Sequence, residues 1–478
     1  MNKISLGDLD NADYKRIFRG EGEDEIINKK LWKAYEDYYI WFDGFNKDEL
    51  ITFYNKLINI AVIIRLDVSF AKDAYKLFES INNRGLKLSP TDIIKNFILG
   101  HASKIDNITL EKVKTFWSDI ITNLDGINTN QFLRQYMCML LQRKVTMKGL
   151  VEDFKHYYVN HIETAEMLSD ASLYSDDDEL QDDDEEDVDT KEEVLENEIE
   201  KEDMQTIKRV SIVHFLKQVR DFSLLYRKIR MREFGEEKIN FHLLNLQRIL
   251  SFPTYIFLLS LLNRDVSQKT KMEVLSIIET FMLRRHICQK RTGELDNIFA
   301  QLIKVSDSNI VSEIKSLLME NLPTDEEFES YFPKHIFKGK LIDRARYVLE
   351  QIEYYLIKDK GEYKLSSAMD VHLEHVIPQT ILTKRAKKEF GDWVEYLGEN
   401  AVTKHKRYVS VIGNLTLIAG ELNIKASNNP FNNKKDNYKE SNIKLNDSLA
   451  NYYRQFKFPQ IEERGKELTK IALKIWKF

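Results

Sequence analysis

Apolar residues recur at three- and four-residue spacing through most of this chain, and that period predicts helices. Residues 48–57 and 71–85 read as helices, the second stopping at Gly85. A new helix is expected at Ser89-Pro90-Thr91-Asp92, where Ser suits the cap, Pro the first helical position and Asp92 the helix dipole. Helical spacing continues through QFLRQYMCMLLQRK and FKHYYVNHI, and again through IKRVSIVHFLKQVRDFSLLYRKI, HLLNLQRILSF and KTKMEVLSIIETFMLRRHI. FPTYIFLLSLL (residues 252–262) reads as a buried helix, being too short to span a bilayer. Residues 321–334 read as a linker before another helix at IDRARYVLEQIEYYLI. The period changes in three places. INIAVIIRLDVS (residues 58–69) has the β-branched run of a buried strand, and short strands are expected at 372–377 and 413–418.

Charge divides the chain more sharply than periodicity does. The formal net charge is −6 over 478 residues. Residues 176–203 hold 18 acidic residues against two lysines, so the remainder carries a net +10. That tract reads as a solvated, disordered insertion; a DNA-mimicking arm over a basic partner surface is the functional alternative. From Ile381 onward there are 19 Lys and Arg against 11 Asp and Glu, the sign expected of a phosphate-backbone binder. Cys138 and Cys288 are the two cysteines, too few for a disulfide framework or a zinc cluster, which fits a reducing cytoplasm. No signal peptide or membrane span is read from the sequence.

Candidate chemistry gathers near the C-terminal end. HLEHVIPQ (residues 372–379) puts the carboxylate of Glu374 beside the imidazole of His375. IGNLTLIAGELN (residues 412–423) adds Asn414 and, nine positions on, Asn423. A one-metal HNH nuclease needs this set on a strand–strand–helix scaffold. A neutral histidine deprotonates water, an amide holds its ring, and hard oxygen ligands keep a divalent cation with sites open for phosphate. Asn414 is expected to orient His375, and the helix ELNIKASN to deliver Asn423 to the metal beside Glu374. The competing reading of His372 and His375 as a zinc pair lacks an HExxH or cysteine cluster.

These two segments, with SNNPFNNKKDNYKES (residues 427–441), resemble the GmrSD-type restriction endonucleases, whose C-terminal domain is HNH-like. FESINNRGLKLSPTDIIKN (residues 78–96) and LRRHICQKRTGELDNIFAQL (residues 283–302) extend the resemblance upstream. The resemblance implies His375 as general base, Asn414 as its orienting partner, Glu374 and Asn423 as metal ligands, and Mg²⁺ or Mn²⁺ as cofactor. Asn428 competes with Asn423 for the ligand role. His372 is assigned to the edge of the site or to phosphate, and Lys434 and Lys435 to the DNA backbone. Asn82, Arg84, Asp92 and Lys95 form a candidate regulatory set; the structural alternative is a helix stop with Arg84 paired to a buried acid such as Asp92. Arg284 and Arg285 read as surface residues whose stems snorkel.

The family's DGQQR-like nucleotide motif is not found in this sequence. A partner polypeptide supplying that half, a truncated start and loss of the nucleotide step are the three accounts. The expectation is therefore a mainly α protein with an α+β HNH (ββα-metal) nuclease domain at its C-terminal end. Its parts are a helical module over residues 1–170, the acidic insertion 171–204, a helical middle 205–334 and the nuclease 335–478. The expected activity is metal-dependent cleavage of foreign, modified DNA in an anti-phage setting. The rival readings are a regulatory subunit of a split system, needing a nucleotide-binding partner, and an RNA-cutting toxin.

Overall fold

Helical periodicity carries over into helices along most of the chain. The computed structural model describes residues 11–26, 28–60, 88–163, 209–357, 371–382, 387–388 and 391–478. The chain divides into two compact units, one of Met1–Thr122 with His161–Lys217 and one of Asn123–Asn160 with Gln218–Phe478. Among the described residues, no helix is long and apolar enough to cross a membrane. The acidic tract, Asn82, Arg84 and the predicted helix over 71–85 lie outside the described residues.

In the first unit, helices Lys29–Asp43 and Lys47–Ile60 are joined through an aromatic cluster of Trp41, Phe42, Phe45 and Phe53. The strand read from residue 58 does not begin there: Ile58 to Ile60 finish the second of these helices. A one-turn overrun is natural where Leu57, Ile58 and Ile60 continue the preceding helical run. Helix Pro90–Ile105 starts as its residues dictate, with Ser89 Oγ accepting from the Asp92 N–H at 3.2 Å. Asp92 itself is exposed and takes the Ser89 hydroxyl at 2.7 Å, so it is not the buried acid proposed for Arg84; Lys95 is half-buried on the same helix.

The second unit is held by apolar helices and by arginines turned inward. Tyr255–Asn263 is the expected buried helix. Arg284 and Arg285 do not snorkel: they are 1% and 3% exposed. Arg284 donates to the Trp476 and Pro323 carbonyls and to Asp325, and Arg285 to the Asn321 carbonyl and Glu294. Carbonyls at the ends of other elements need donors, and a guanidinium supplies several from one side chain. The linker expected at 321–334 contains a helix, Asp325–Tyr331, capped by Thr324 and rooted by buried Phe328 and Phe332. Three successive acids in its first turn favour that end.

The elements that position the site follow. Helix α1 (Ile342–Ile357) precedes strand β1 (Val371–His375); short helices α2 (Trp393–Leu397) and α3 (Ala401–Tyr408) lead to strand β2 (Leu415–Ala419). Helices α4 (Gly420–Ala426), α5 (Phe431–Glu440) and α6 (Phe458–Ile475) complete the chain. β1 and β2 are antiparallel, pairing Val371 with Ala419 and His375 with Leu415, and α4 packs against both strands. Leu415 to Ile418 are all buried, because α1 covers this ribbon. Glu353 of α1 accepts the Lys444 and Leu445 N–H groups at 2.8 and 2.9 Å, and the adjacent Asn446 bonds both Thr416 and the Leu417 carbonyl.

A tight turn, Ile412–Asn414, enters β2 directly under α6. A Cβ on Gly413 would stand 2.1 Å from the Ile461 carbonyl oxygen and 3.0 Å from the Gly465 nitrogen. Buried Arg464 of α6 donates to the Gly413 and Leu415 carbonyls at 3.0 and 2.6 Å. Gly413→Ala is therefore expected to push α6 off the turn at a cost of about 2–3 kcal/mol. Melting of the second unit should fall by roughly 5–10 °C in calorimetry, and an unchanged transition would show that the turn is free to move.

His286 and His335 stand near Arg344. Burial first, then that guanidinium, holds their imidazoles down at about 3 and about 4. The unfolded chain, with imidazoles near ~6.5, binds more protons in the window between. Their contribution to stability is thus complete above pH 6.5 and is lost as pH falls towards 4. His335→Gln should flatten the decline of melting temperature between those pH values; an equally steep decline would mean that other groups set it.

Candidate active site

Strand β1 alternates: Val371 is buried, His372 exposed and Glu374 buried, with Leu373 and His375 half-buried. Neighbours on a strand face opposite ways, so Glu374 and His375 share a site only if the chain turns beyond His375. It does. The Val376 N–H donates to the Asn414 carbonyl at 2.9 Å, and the Ile377 N–H to Asn414 Oδ1 at 2.8 Å. Asn414 Nδ2 donates back to the Ile377 and Val409 carbonyls, both at 2.9 Å. A cleft of about 260 Å³ opens at this bend, lined by Glu374, His375, Pro378, Gln379, Thr380, Ser427 and Asn428.

Two outer contacts fix the cleft walls. His405, buried on α3, bonds the Pro378 carbonyl through Nε2 at 2.8 Å. Trp393 Nε1 donates to the Asn428 carbonyl at 3.0 Å. Ser427 sits at φ +43°, a conformation that costs a non-glycine residue energy and persists only where its surroundings enforce it.

The electrostatics of the site turn on Lys434, whose side chain is fully buried. Its Nζ lies 2.5 Å from Glu374 Oε1 and donates to the His375 carbonyl at 2.9 Å. Burial pushes the Glu374 carboxyl up and the Lys434 ammonium down, and each is opposed by the charge of the other. Burial, then Lys434, then His405 pulls His375 down to about 4, so its imidazole is neutral at pH 7. The Gln379 amide nitrogen lies 3.3 Å from Nδ1 and 3.2 Å from Nε2 of that ring.

The expected residues separate under this geometry. Glu374 and His375 come together in the cleft. Asn414 does not bond the imidazole. It is fully buried, and both its donors and its oxygen serve the backbone at Ile377 and Val409. Lys434 is not available to a DNA backbone, because burial and Glu374 claim its ammonium; Lys435, the next residue, is half-buried. Asn423 is half-buried on α4 and is not among the residues lining the cleft, whereas Asn428 is. His372 is exposed on the strand. The sequence reading missed Gln379, Thr380, Ser427, Trp393 and His405. Gln379 and Ser427 lay inside the segments singled out, but Trp393 and His405 reach the site only through backbone contacts that no spacing announces.

Among the described residues, no group of three or more His, Cys, Asp and Glu side chains is arranged to hold a metal ion. The cleft's donors are one carboxylate, the amides of Gln379 and Asn428 and the hydroxyls of Thr380 and Ser427. These are hard oxygen donors, the kind Mg²⁺ takes alongside water and phosphate. The donor chemistry fits such an ion, with Glu374 as the one full negative charge.

Residues 322–471 match the family model of the C-terminal domain of GmrSD restriction endonucleases. The likeness is to this segment of the chain. No curated protein matches the chain. The matched segment runs from the helix Asp325–Tyr331 through most of α6, and it contains the paired strands, the cleft, Lys434 and the Gly413 turn. The inward arginines precede it: Arg284 donates to the Pro323 carbonyl and to Asp325 inside the segment, and Arg285 to the Asn321 carbonyl just ahead of it.

Asn414→Val should strip the Ile377 N–H and carbonyl and the Val409 carbonyl of their partner, at a cost of about 3 kcal/mol or more. The measurement is thermal unfolding beside substrate cleavage. A variant that keeps wild-type melting and loses only turnover would return Asn414 to the histidine.

Proposed function

We propose that this protein is a metal-dependent DNA endonuclease of restriction type, with His375 as its general base. One observation carries the reading: a neutral imidazole and a buried carboxylate open into the same cleft inside a GmrSD-type domain. The paired strands followed by α4 support the HNH (ββα) assignment. Neutral His375 has a lone pair for the proton of an attacking water, and proton transfer of this kind is worth roughly 10²–10⁴-fold in rate. Glu374, with Asn428 or Asn423, would hold a cation of Mg²⁺ type, which when bound supplies Lewis-acid stabilisation of charge on the phosphate. Asn414 keeps the bend at Ile377 from which both reacting side chains are displayed. The basic balance after Ile381 supports a polyanionic substrate, and the family resemblance supports foreign, modified DNA.

The test uses the full chain with plain and modified plasmids, with and without GTP or ATP. Mg²⁺ or Mn²⁺ should support nicking and EDTA should abolish it. His375→Ala should lower nicking by roughly 10²-fold or more while DNA binding persists. Nicking retained by that variant rejects His375 as the base. Activity that appears only with an added nucleotide-binding protein would favour the split-system reading.

A further inference from the structure

The ammonium of Lys434 is the best-enclosed charge near the cleft, and the proposed chemistry leaves it without a task. It comes from α5, about sixty positions along the chain from its two acceptors. Among the described residues its hydrogen bonds go to the Glu374 carboxylate and to the backbone carbonyl of His375 itself. α5 begins at Phe431, shortly after Ser427 and Asn428, which line one wall of the cleft. The opposite wall is the end of β1 and the residues that follow it, His375 to Thr380. One side chain therefore ties the two walls together at the point where the carboxylate and the imidazole leave the backbone.

We infer that Lys434 is a positioning residue of this site: its buried ammonium bridges the Glu374 carboxylate and the His375 carbonyl and so fixes the direction in which both side chains enter the cleft. The physical argument is one of coupled constraints. A carboxylate buried to this degree needs a partner, and the lysine supplies it from one direction only. The same ammonium then spends a second hydrogen bond on the His375 carbonyl, which sets the peptide plane beyond the imidazole-bearing Cα. With the Val376 and Ile377 N–H groups already held by Asn414, the backbone on the far side of His375 has no remaining freedom. A cleft-floor lysine of this kind differs from a phosphate contact in two observable ways. It does not contribute to the salt dependence of DNA binding, and its loss is felt in the orientation of His375 even without DNA.

The activity arm of the test rests on the nuclease reading; the spectroscopic arm does not. In the full chain, Lys434→Met should lower the single-turnover cleavage rate by about 100-fold, the scale of a small misplacement of reacting groups, with DNA affinity and its salt dependence retained. A phosphate contact would instead weaken binding and reduce the salt slope by about one, leaving the rate within the bound complex intact, and that result overturns the proposal. Separately, the full chain is labelled with ¹³Cε1-histidine and the His375 resonance is assigned with His375→Gln. Lys434→Met should shift or broaden that resonance while the exposed His214 stays in place; an unmoved His375 resonance also overturns the proposal. Should Lys434→Met fail to fold, Lys434→Arg carries both arms. A retained cation is expected to keep the His375 resonance and most of the rate, and a folded Lys434→Arg protein with a displaced resonance counts against the bridge. A wild-type chain that cuts nothing sinks the nuclease reading, and the histidine spectrum then judges Lys434 alone.

Discussion

The contact between the Ile412–Asn414 turn and helix α6 governs the geometry of everything near the cleft. Gly413 lies so close to the backbone at Ile461 and Gly465 that only a hydrogen fits between them. Arg464 then takes the carbonyls on both sides of the turn. With its own backbone locked in this way, Asn414 becomes a fixed template, and the residues after His375 are laid against it by hydrogen bonds to Val376 and Ile377. The bend that brings a carboxylate and an imidazole from opposite faces of a strand into one cleft is thus imposed from below, by packing. The chain leaving β1 could not make this bend by its own preference, since Val376 and Ile377 are β-branched and favour extension.

A second consequence follows from burial. Glu374, Lys434 and His375 are withdrawn from water together, and each pays for it in the direction of its neutral form. Glu374 and Lys434 offset that penalty for one another at close contact, whereas His375 is pulled down by burial, Lys434 and His405 and stays neutral. The site therefore combines a compensated ion pair with an unprotonated base. A divalent cation placed at Glu374 would meet a carboxylate whose charge is already balanced, so substrate phosphate becomes the natural source of the remaining negative charge. On the proposed nuclease reading, metal and DNA would in that sense enter as partners, each improving the site for the other.

Much of this was legible in the sequence, and the part that was not has a common cause. Helix Pro90–Ile105 begins where its cap residues place it, and Tyr255–Asn263 is buried as its unbroken apolar run implies. Glu374 and His375 are adjacent and share the cleft once the Asn414 bend turns the strand end, and the two segments that carry these residues are legible in the sequence. Long-range polar contacts were the failures. Lys434 stands in a run of Asn, Lys and Asp that reads as a solvated helix face, yet its position on α5 points it inward at a carboxylate some sixty residues away. Asn414 was matched to the histidine through its spacing, but an asparagine next to a fixed glycine has nearer backbone groups to satisfy. Arg284 and Arg285 were read as surface residues for the same reason: charge alone suggests water, while unpaired carbonyls at element ends offer an interior alternative.

On the proposed nuclease reading, with Lys434 committed inside, attraction of a polyanion would fall to cations that face solvent, of which α3 carries three. His405 on the buried side of that helix holds the Pro378 carbonyl and thereby one wall of the cleft. Lys404, Lys406 and Arg407 on the same two turns are exposed. A short helix that fixes the cleft wall with one residue and presents three positive charges with its neighbours keeps those charges within a helix diameter of the wall. At physiological ionic strength exposed charges act over about 8 Å, so on the proposed nuclease reading cations at a helix diameter from the wall are partly screened and serve chiefly to attract and hold a polyanion. On that reading the division of labour is physical: solvated cations set how tightly and how salt-sensitively a polyanion is held, and the desolvated Lys434 sets where the reacting groups stand.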